Sequence, residues 1–268
     1  MKDKKTEIYV ISHNTKDIVN IKEDKIYKPL FVGCNGQDNL GYLSDDTGDN
    51  ISYKNNSFCE LTGLYWMWKN SDADIIGLTH YRRYFVKKKY GKRLDKNDLN
   101  RIFKDYDIIL PKKHVPLGEN LYKDYAYAHN VKDLDLCREI IKDIHPEYLE
   151  SFDDMMKTDT IYCFNMFIAP KEIITPYCEW IFSILFELEK RIDLTGYNNY
   201  QQRVYGFLSE RLFKVWLNKQ NLKIKECNVK LIGVHLNIEQ WVYRKKIFIF
   251  LFRNVYLKYF YKEENKLV

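Results

Sequence analysis

The chain has 268 residues, of which 46% are hydrophobic and 16% aromatic, with only 11 glycines and 6 prolines. This composition excludes a disordered or fibrous protein and is enough for one large α/β domain with a sizeable core. The formal charge of +6 is uneven: from Trp241 to Val268 seven basic residues face two acidic ones, so the tail holds +5 and the body about +1. That balance, without a recognised nucleic-acid motif, argues against nucleic acid as a partner.

Six cysteines (Cys34, Cys59, Cys137, Cys163, Cys178, Cys227) show no CxxC pair and no histidine at ligand spacing. They read as buried thiols in a reducing compartment rather than a zinc site. The opening MKDKKTEIYVISHN has too short an apolar run for a signal peptide, so the expected location is the cytoplasm. The sequons at Asn50 and Asn55 are then chance matches.

In chain order, β-rich runs alternate with helical patterns, which predicts an α/β fold with a mainly parallel central sheet flanked by helices. Strands are expected at 7–12, 29–34, 74–81, 106–111, 160–169 and 222–227. The clearest early helix is SFCELTGLYWMWKN, where Ser57 and Glu60 spell a capping box and Phe58, Leu61, Leu64, Tyr65 and Trp68 share a face. Further helices are expected at 176–191, with Pro176 in the first turn, and at about 198–219.

Ligands of open α/β sheets bind outside the carboxyl ends of the strands. That rule selects His13 and Asn14 after the first strand, Gly33 to Gly36 after the second, the run His80-Tyr81-Arg82-Arg83 after the third, and Pro111 to Lys113 after the fourth. Two guanidinium forks match phosphate oxygens and an imidazole can donate or accept near neutral pH, so a diphosphate suits this strand end. Spacing alone leaves open the alternative of solvated arginines beside a structural histidine. There is no GxxxxGK[ST] loop and no GxGxxG after a strand, which weakens nucleoside triphosphatase and dinucleotide readings.

Among acidic candidates, Asp72-Ala73-Asp74 has a DxD spelling but precedes its strand, and Asp133-Leu134-Asp135 reads as a solvated helix face. The polar loop 44–55 is better placed and offers Asp45, Asp46, Asp49, Asn50, Lys54 and Asn55, either as turn formers or as donor ligands. Asn165 interrupts an apolar run, so its amide needs hydrogen bonds, to structure or to a sugar hydroxyl. In the helix near 204–215, Arg203, Gly206 and Glu210 share a stripe opposite Val204, Leu208, Leu212 and Val215.

The stretch DDTGDNISYKNNSFCELTGLYWMWKNSDADIIGLTHYRRYF, with NMFIAPKEI and RVYGFLSERL, resembles a bacterial family of capsular and exopolysaccharide glycosyltransferases long catalogued as a domain of unknown function. The likeness runs from about Ile8 to about residue 230. It implies a GT-A-like nucleotide-sugar-binding fold over 1–240, a UDP-sugar donor and a lipid-linked glycan acceptor. Galactosyl or galactofuranosyl transfer is the associated hexosyl chemistry.

Where the usual GT-A strand ends in a metal-binding DxD, this one ends in His80-Tyr81-Arg82. A divalent metal, Mg or Mn, is therefore replaced in this reading by cationic side chains that neutralise the departing diphosphate. No residue is assigned as a metal ligand. If a metal is needed, Asp45, Asp46 and Asp49 are the candidates. The expected donor-binding residues are His13, Asp46, Asp49, Asn50, Lys54, Asn55, His80, Tyr81, Arg82 and Arg83, with His80 and Arg82 also catalytic. Glu210 is the expected base of a single inverting displacement, with Asp46 and Asp49 as substitutes, and Asn165, Arg203 and Arg211 face the acceptor. A retaining reaction is the alternative, because sequence does not reveal which face of the sugar is open.

Residues 241–268 mix Trp241, tyrosines and phenylalanines with cations and never reach the ~18 apolar residues of a spanning helix. A helical tail lying peripherally on an anionic inner membrane face is one reading. A helix packed on the domain is the other. The competing functional class is a non-catalytic binder of nucleotide or anionic glycan in the same pathway.

Overall fold

The computed structural model describes residues 4–88, 91–116 and 118–232. The tail 241–268, and the reading of it as a helix, lie outside the described residues. The strands are β1 (Thr6–Ser12), β2 (Tyr27–Phe31), β3 (Leu43–Ser44), β4 (Ile75–His80), β5 (Arg83–Val86), β6 (Ile108–Pro111), β7 (Phe167–Pro170) and β8 (Ile224–Leu231). The helices are α1 (Thr15–Ile18), α2 (Asn55–Phe58), α3 (Leu61–Asn70), α4 (Lys96–Ile102), α5 (Leu121–Ala128), α6 (Val131–Ile144), α7 (Leu149–Met156), α8 (Lys171–Arg191) and α9 (Val204–Lys219).

The strands form one sheet in the order β3-β2-β1-β4-β5-β8-β6-β7, with an added β4–β7 pairing. Along β1, Ile8 and Val10 enter one apolar cluster while Tyr9 and Ile11 enter the other. The strand is thus buried on both faces, which is why its sequence is a near-continuous apolar run. One cluster lies under α3, α6, α8 and α9, and the smaller one lies under α1 and α4.

The sheet is mixed, which corrects the mainly parallel expectation. β1, β2, β3 and β4 are parallel neighbours, as is the β6–β8 pair, but β4–β5, β4–β7, β5–β8 and β6–β7 are antiparallel. The cause is local at β5: Tyr81 and Arg82 alone separate it from β4, too few residues for the crossover that parallel pairing needs. β4 pairs with β7 over Ile75–Leu78 and meets β5 only at His80 with Arg83. The sheet therefore opens at the carboxyl end of β4.

Two helix expectations also change. The run 57–70 breaks at Cys59, whose φ of 52° and ψ of −129° leave the helical region, so α2 ends at Phe58 and α3 begins at Leu61. Ser57 donates to the Lys54 carbonyl and no capping box forms. α8 begins at Lys171, placing Pro176 inside the helix. Asp133 is buried, accepting from the Tyr197 hydroxyl at 2.8 Å, and is not on a solvated face. Asp72 and Asp74 sit at the other edge of the sheet, where both bind Lys5.

Candidate active site

A cleft of about 520 Å³ opens at the carboxyl ends of β1, β2 and β4, where the rule for open sheets places ligands. Its floor is Ile11, Val32 and His80, and His13 and Tyr81 stand at the rim with ring centroids 6.1 Å apart, edge to face. One wall is the α2–α3 break with Asn55, Asn56, Cys59 and Glu60; the facing wall is the first turns of α9.

Arg203, which caps the start of α9, and Gly206, Phe207 and Glu210 within the helix all face the cleft. Their spacing of 3, 4 and 7 residues is one helical stripe. At Gly206 an added Cβ would lie 3.5 Å from Cys59 Sγ and 4.0 Å from Glu60 Oε2, ordinary contact distances, so α9 runs beside the break that presents Glu60.

The segment before β7 joins the two walls. Phe164 and Asn165 both have left-handed backbone, with φ of 75° and 50°, a costly conformation for phenylalanine. The surroundings hold it in place. His80 Nε2 lies 2.8 Å from the Phe164 carbonyl, while the Phe164 N–H donates to Glu210 Oε1. Since a carbonyl only accepts, His80 carries its proton on Nε2. The Asn165 amide donates to Glu60 Oε1 and to Ser209 Oγ, both at 2.8 Å, and the Arg83 guanidinium covers the Phe164 ring at 4.3 Å. One strained turn thus fixes an imidazole, two carboxylates and a guanidinium.

The electrostatics separate the roles. Burial drives the Glu210 carboxyl up to about 7, with Glu60 adding to the shift and Arg211, Arg83 and the Phe164 N–H opposing it. A carboxylate poised near neutrality suits proton abstraction. Burial pushes His80 below the ordinary histidine range, against the pull of Glu60 and the Phe164 carbonyl. His80 is therefore a neutral donor at pH 7 that positions the turn, not a cation for a leaving group. Positive charge in the cleft comes from Arg83 and Arg203, and no carboxylate among the described residues forms an ion pair with either. The Arg83 Nε is buried without a partner. The Arg203 guanidinium donates to Cys59 Sγ at 3.3 Å.

Of the residues expected from sequence, the cleft gathers His13, Asn55, His80, Tyr81, Arg83, Arg203 and Glu210. The others stand elsewhere. Arg82 points to the far side of the β4–β5 turn and pairs with Asp17 at 3.3 Å. Lys54 is bonded to Glu189 on α8 at 2.5 Å. Asn165 is buried beneath the cleft, and Arg211 makes a buried pair with Asp124 at 2.9 Å that joins α9 to α5.

The acidic loop 44–55 holds its own backbone. Asp45 is fully buried, accepting from the Gly33 and Cys34 N–H groups and the Ser52 hydroxyl. Asp46 accepts from the Gly36 N–H and the Ser44 hydroxyl, Asp49 accepts from the Tyr65 hydroxyl, and Asn50 closes a turn onto Ser52 and Gly48. Among the described residues no group of three or more His, Cys, Asp or Glu side chains gathers to hold a metal ion. The loop acids therefore do not fit a divalent cation.

Glu60, Phe164 and Phe207 were not reached from sequence. Glu60 hides in a capping-box spelling and Phe164 in an apolar run. Phe207 completes the 203, 206, 210 stripe and was legible there.

A family model described as a domain of unknown function, DUF4422, matches residues 7–221. Among solved structures, the apo form of the bifunctional glycosyltransferase WbbM superposes with a TM-score of 0.76 at 32% identity. The match covers 85% of this chain and 45% of that one, so this chain spans less than half the length of WbbM. No curated protein matches. Among the described residues no helix is long and apolar enough to cross a membrane.

Proposed function

Because the chain belongs to the DUF4422 family and is similar in sequence and fold to part of a glycosyltransferase, we propose that it is itself a glycosyltransferase using this cleft. In this reading the donor is a UDP-sugar carrying a hexosyl unit, galactosyl or galactofuranosyl by the family resemblance. The acceptor is a lipid-linked oligosaccharide of capsular or exopolysaccharide synthesis. The supporting observation is the pair Arg83 and Arg203, two cleft guanidinium groups with no carboxylate partner among the described residues, the Arg83 Nε being buried without a hydrogen-bond partner. Guanidinium forks left free in a cleft match the oxygens of a diphosphate.

The diphosphate lies against these two forks, which stabilise the charge that develops as the anomeric carbon–oxygen bond breaks. An acceptor hydroxyl attacks the anomeric carbon from the opposite face and gives its proton to Glu210, and UDP leaves with the bond electrons. The product then has inverted configuration. Glu60, tied by Asn165, faces the same space and is placed to orient a sugar hydroxyl.

The test is the thermal shift caused by UDP in EDTA, comparing the wild type with Arg83→Gln. A ligand at 100 times its dissociation constant adds about 2.7 kcal/mol of stability. A wild-type shift that Arg83→Gln loses supports a metal-independent donor site. Equal shifts in both proteins would remove Arg83 from it, and no shift in either would sink the nucleotide reading.

A further inference from the structure

Behind the β4–β5 turn lies a second groove, of about 610 Å³, which the donor reading leaves unused. Five cationic side chains line it, Lys22, Arg82, Lys92, Arg93 and Lys230, against one carboxylate, Asp17. Asp17 is engaged by Arg82, and Arg93 is anchored by Asp24 and lies over the Tyr27 ring at 4.3 Å. The three lysines have no carboxylate partner among the described residues. Elsewhere on the surface lysines do pair, as Lys28 with Glu23, Lys87 with Asp95 and Lys157 with Asp154. A concave surface of one sign concentrates anions.

Tyr81 lines both this groove and the donor cleft, with the Arg82 guanidinium 4.9 Å from its ring and the His13 ring edge-to-face at 6.1 Å. A ligand filling the groove would therefore reach the cleft across a single tyrosine. We propose that the groove binds an acceptor whose lipid is joined to its first sugar through a diphosphate, with that diphosphate seated on Lys22, Lys92 and Lys230 and a short glycan crossing Tyr81 toward Glu210. Tyr81, which is half-buried and shared by both hollows, supplies an apolar ring against which a sugar packs. The assignment rests on the donor reading of the neighbouring cleft.

The test is calorimetric titration of the full chain with inorganic pyrophosphate in EDTA, on three proteins of unchanged melting temperature. These are the wild type, the triple variant Lys22→Gln, Lys92→Gln, Lys230→Gln, and Arg83→Gln. The expected wild-type result is two sites. The triple variant weakens one by at least about tenfold and keeps the other, while Arg83→Gln does the reverse. Unchanged binding by the triple variant overturns the groove and leaves the cleft reading standing. Loss in the triple variant with no effect of Arg83→Gln keeps the groove and removes the cleft reading. Phosphatidylglycerol vesicles bound through the three lysines, without a pyrophosphate site there, would make the groove a membrane face and overturn the proposal.

Discussion

Glu210 is a carboxyl whose burial conflicts with its charge, and that conflict has two measurable consequences. Its carboxyl is raised to about 7, largely by desolvation, so as a base it must ionise before it works. Transfer rate should rise with pH through about 7 and then level off, and Glu210→Gln should lower it by at least about 10²-fold. The stability effect has the opposite sense. A carboxyl raised in the fold stabilises below its unfolded value near 4.5, and that stability is lost as pH rises through 7. Glu210→Gln keeps an oxygen for the Phe164 N–H and removes the charge. It should therefore be more stable than the wild type at pH 8, by on the order of 3 kcal/mol, with the gap closing toward pH 4.5. Urea melts at the two pH values check this, and a constant gap would show that Glu210 does not titrate near neutrality.

The turn before β7 ranks first among the local elements of the site because two carboxylates depend on it. The Asn165 amide binds Glu60 and Ser209, and its Oδ1 is buried without a partner. Removing the amide strands those groups, so Asn165→Ala should cost about 1–3 kcal/mol and reduce transfer beyond what the stability loss explains. Activity at full occupancy of the folded state separates the two effects. The break at Cys59 is the matching device on the other wall. Its backbone lies where glycine is favoured, so Cys59→Gly should raise stability by about 1 kcal/mol, measured by denaturant midpoint. Neither device was legible in sequence. Cys59 and Phe164 are ordinary members of apolar runs, and only the packing of distant segments forces their positive φ. Asn165 was legible as an anomaly, since an amide inside IYCFNMFIA needs partners, though which partners it finds depends on α9 and the Cys59 break.

At the scale of the whole molecule, the cleft depends on how closely α3 packs on the sheet. A Cβ on Gly63 would come within 2.6 Å of Ile11 Cδ1 and 2.9 Å of Val32 Cγ1, and both residues also floor the cleft. Gly63→Val should cost about 1–3 kcal/mol through overpacking and weaken UDP binding without touching a ligand atom. Denaturant melts and UDP titration report the two effects. The Arg211–Asp124 pair acts over a similar span, since it joins α9 to α5 with both groups buried. Breaking it with Arg211→Ala should destabilise by about 3–5 kcal/mol, read from the same melts.

Local pattern determined much of this protein: the buried parallel strands β1, β2 and β4, the amphipathic α9 with its stripe of Arg203, Gly206 and Glu210, and the cationic end of β4. These follow from side-chain periodicity and from the strand-end rule, which need only neighbouring residues. The tertiary structure alone decided which cation serves which site. The tight β4–β5 turn puts Arg83 into the cleft and Arg82 into the second groove, paired with Asp17, and in sequence the two arginines are indistinguishable. It also made the acids of loop 44–55 into backbone ligands and brought Glu60 opposite Glu210. The physical reason is that hydrogen-bond partners and desolvation come from segments outside the local repeat, 10 to 12 residues away for Asp45 and Asp46 with the Gly33, Cys34 and Gly36 N–H groups and more than 40 for Asn165 with Glu60 and Glu210 with Phe164, and periodicity carries no information about such pairs.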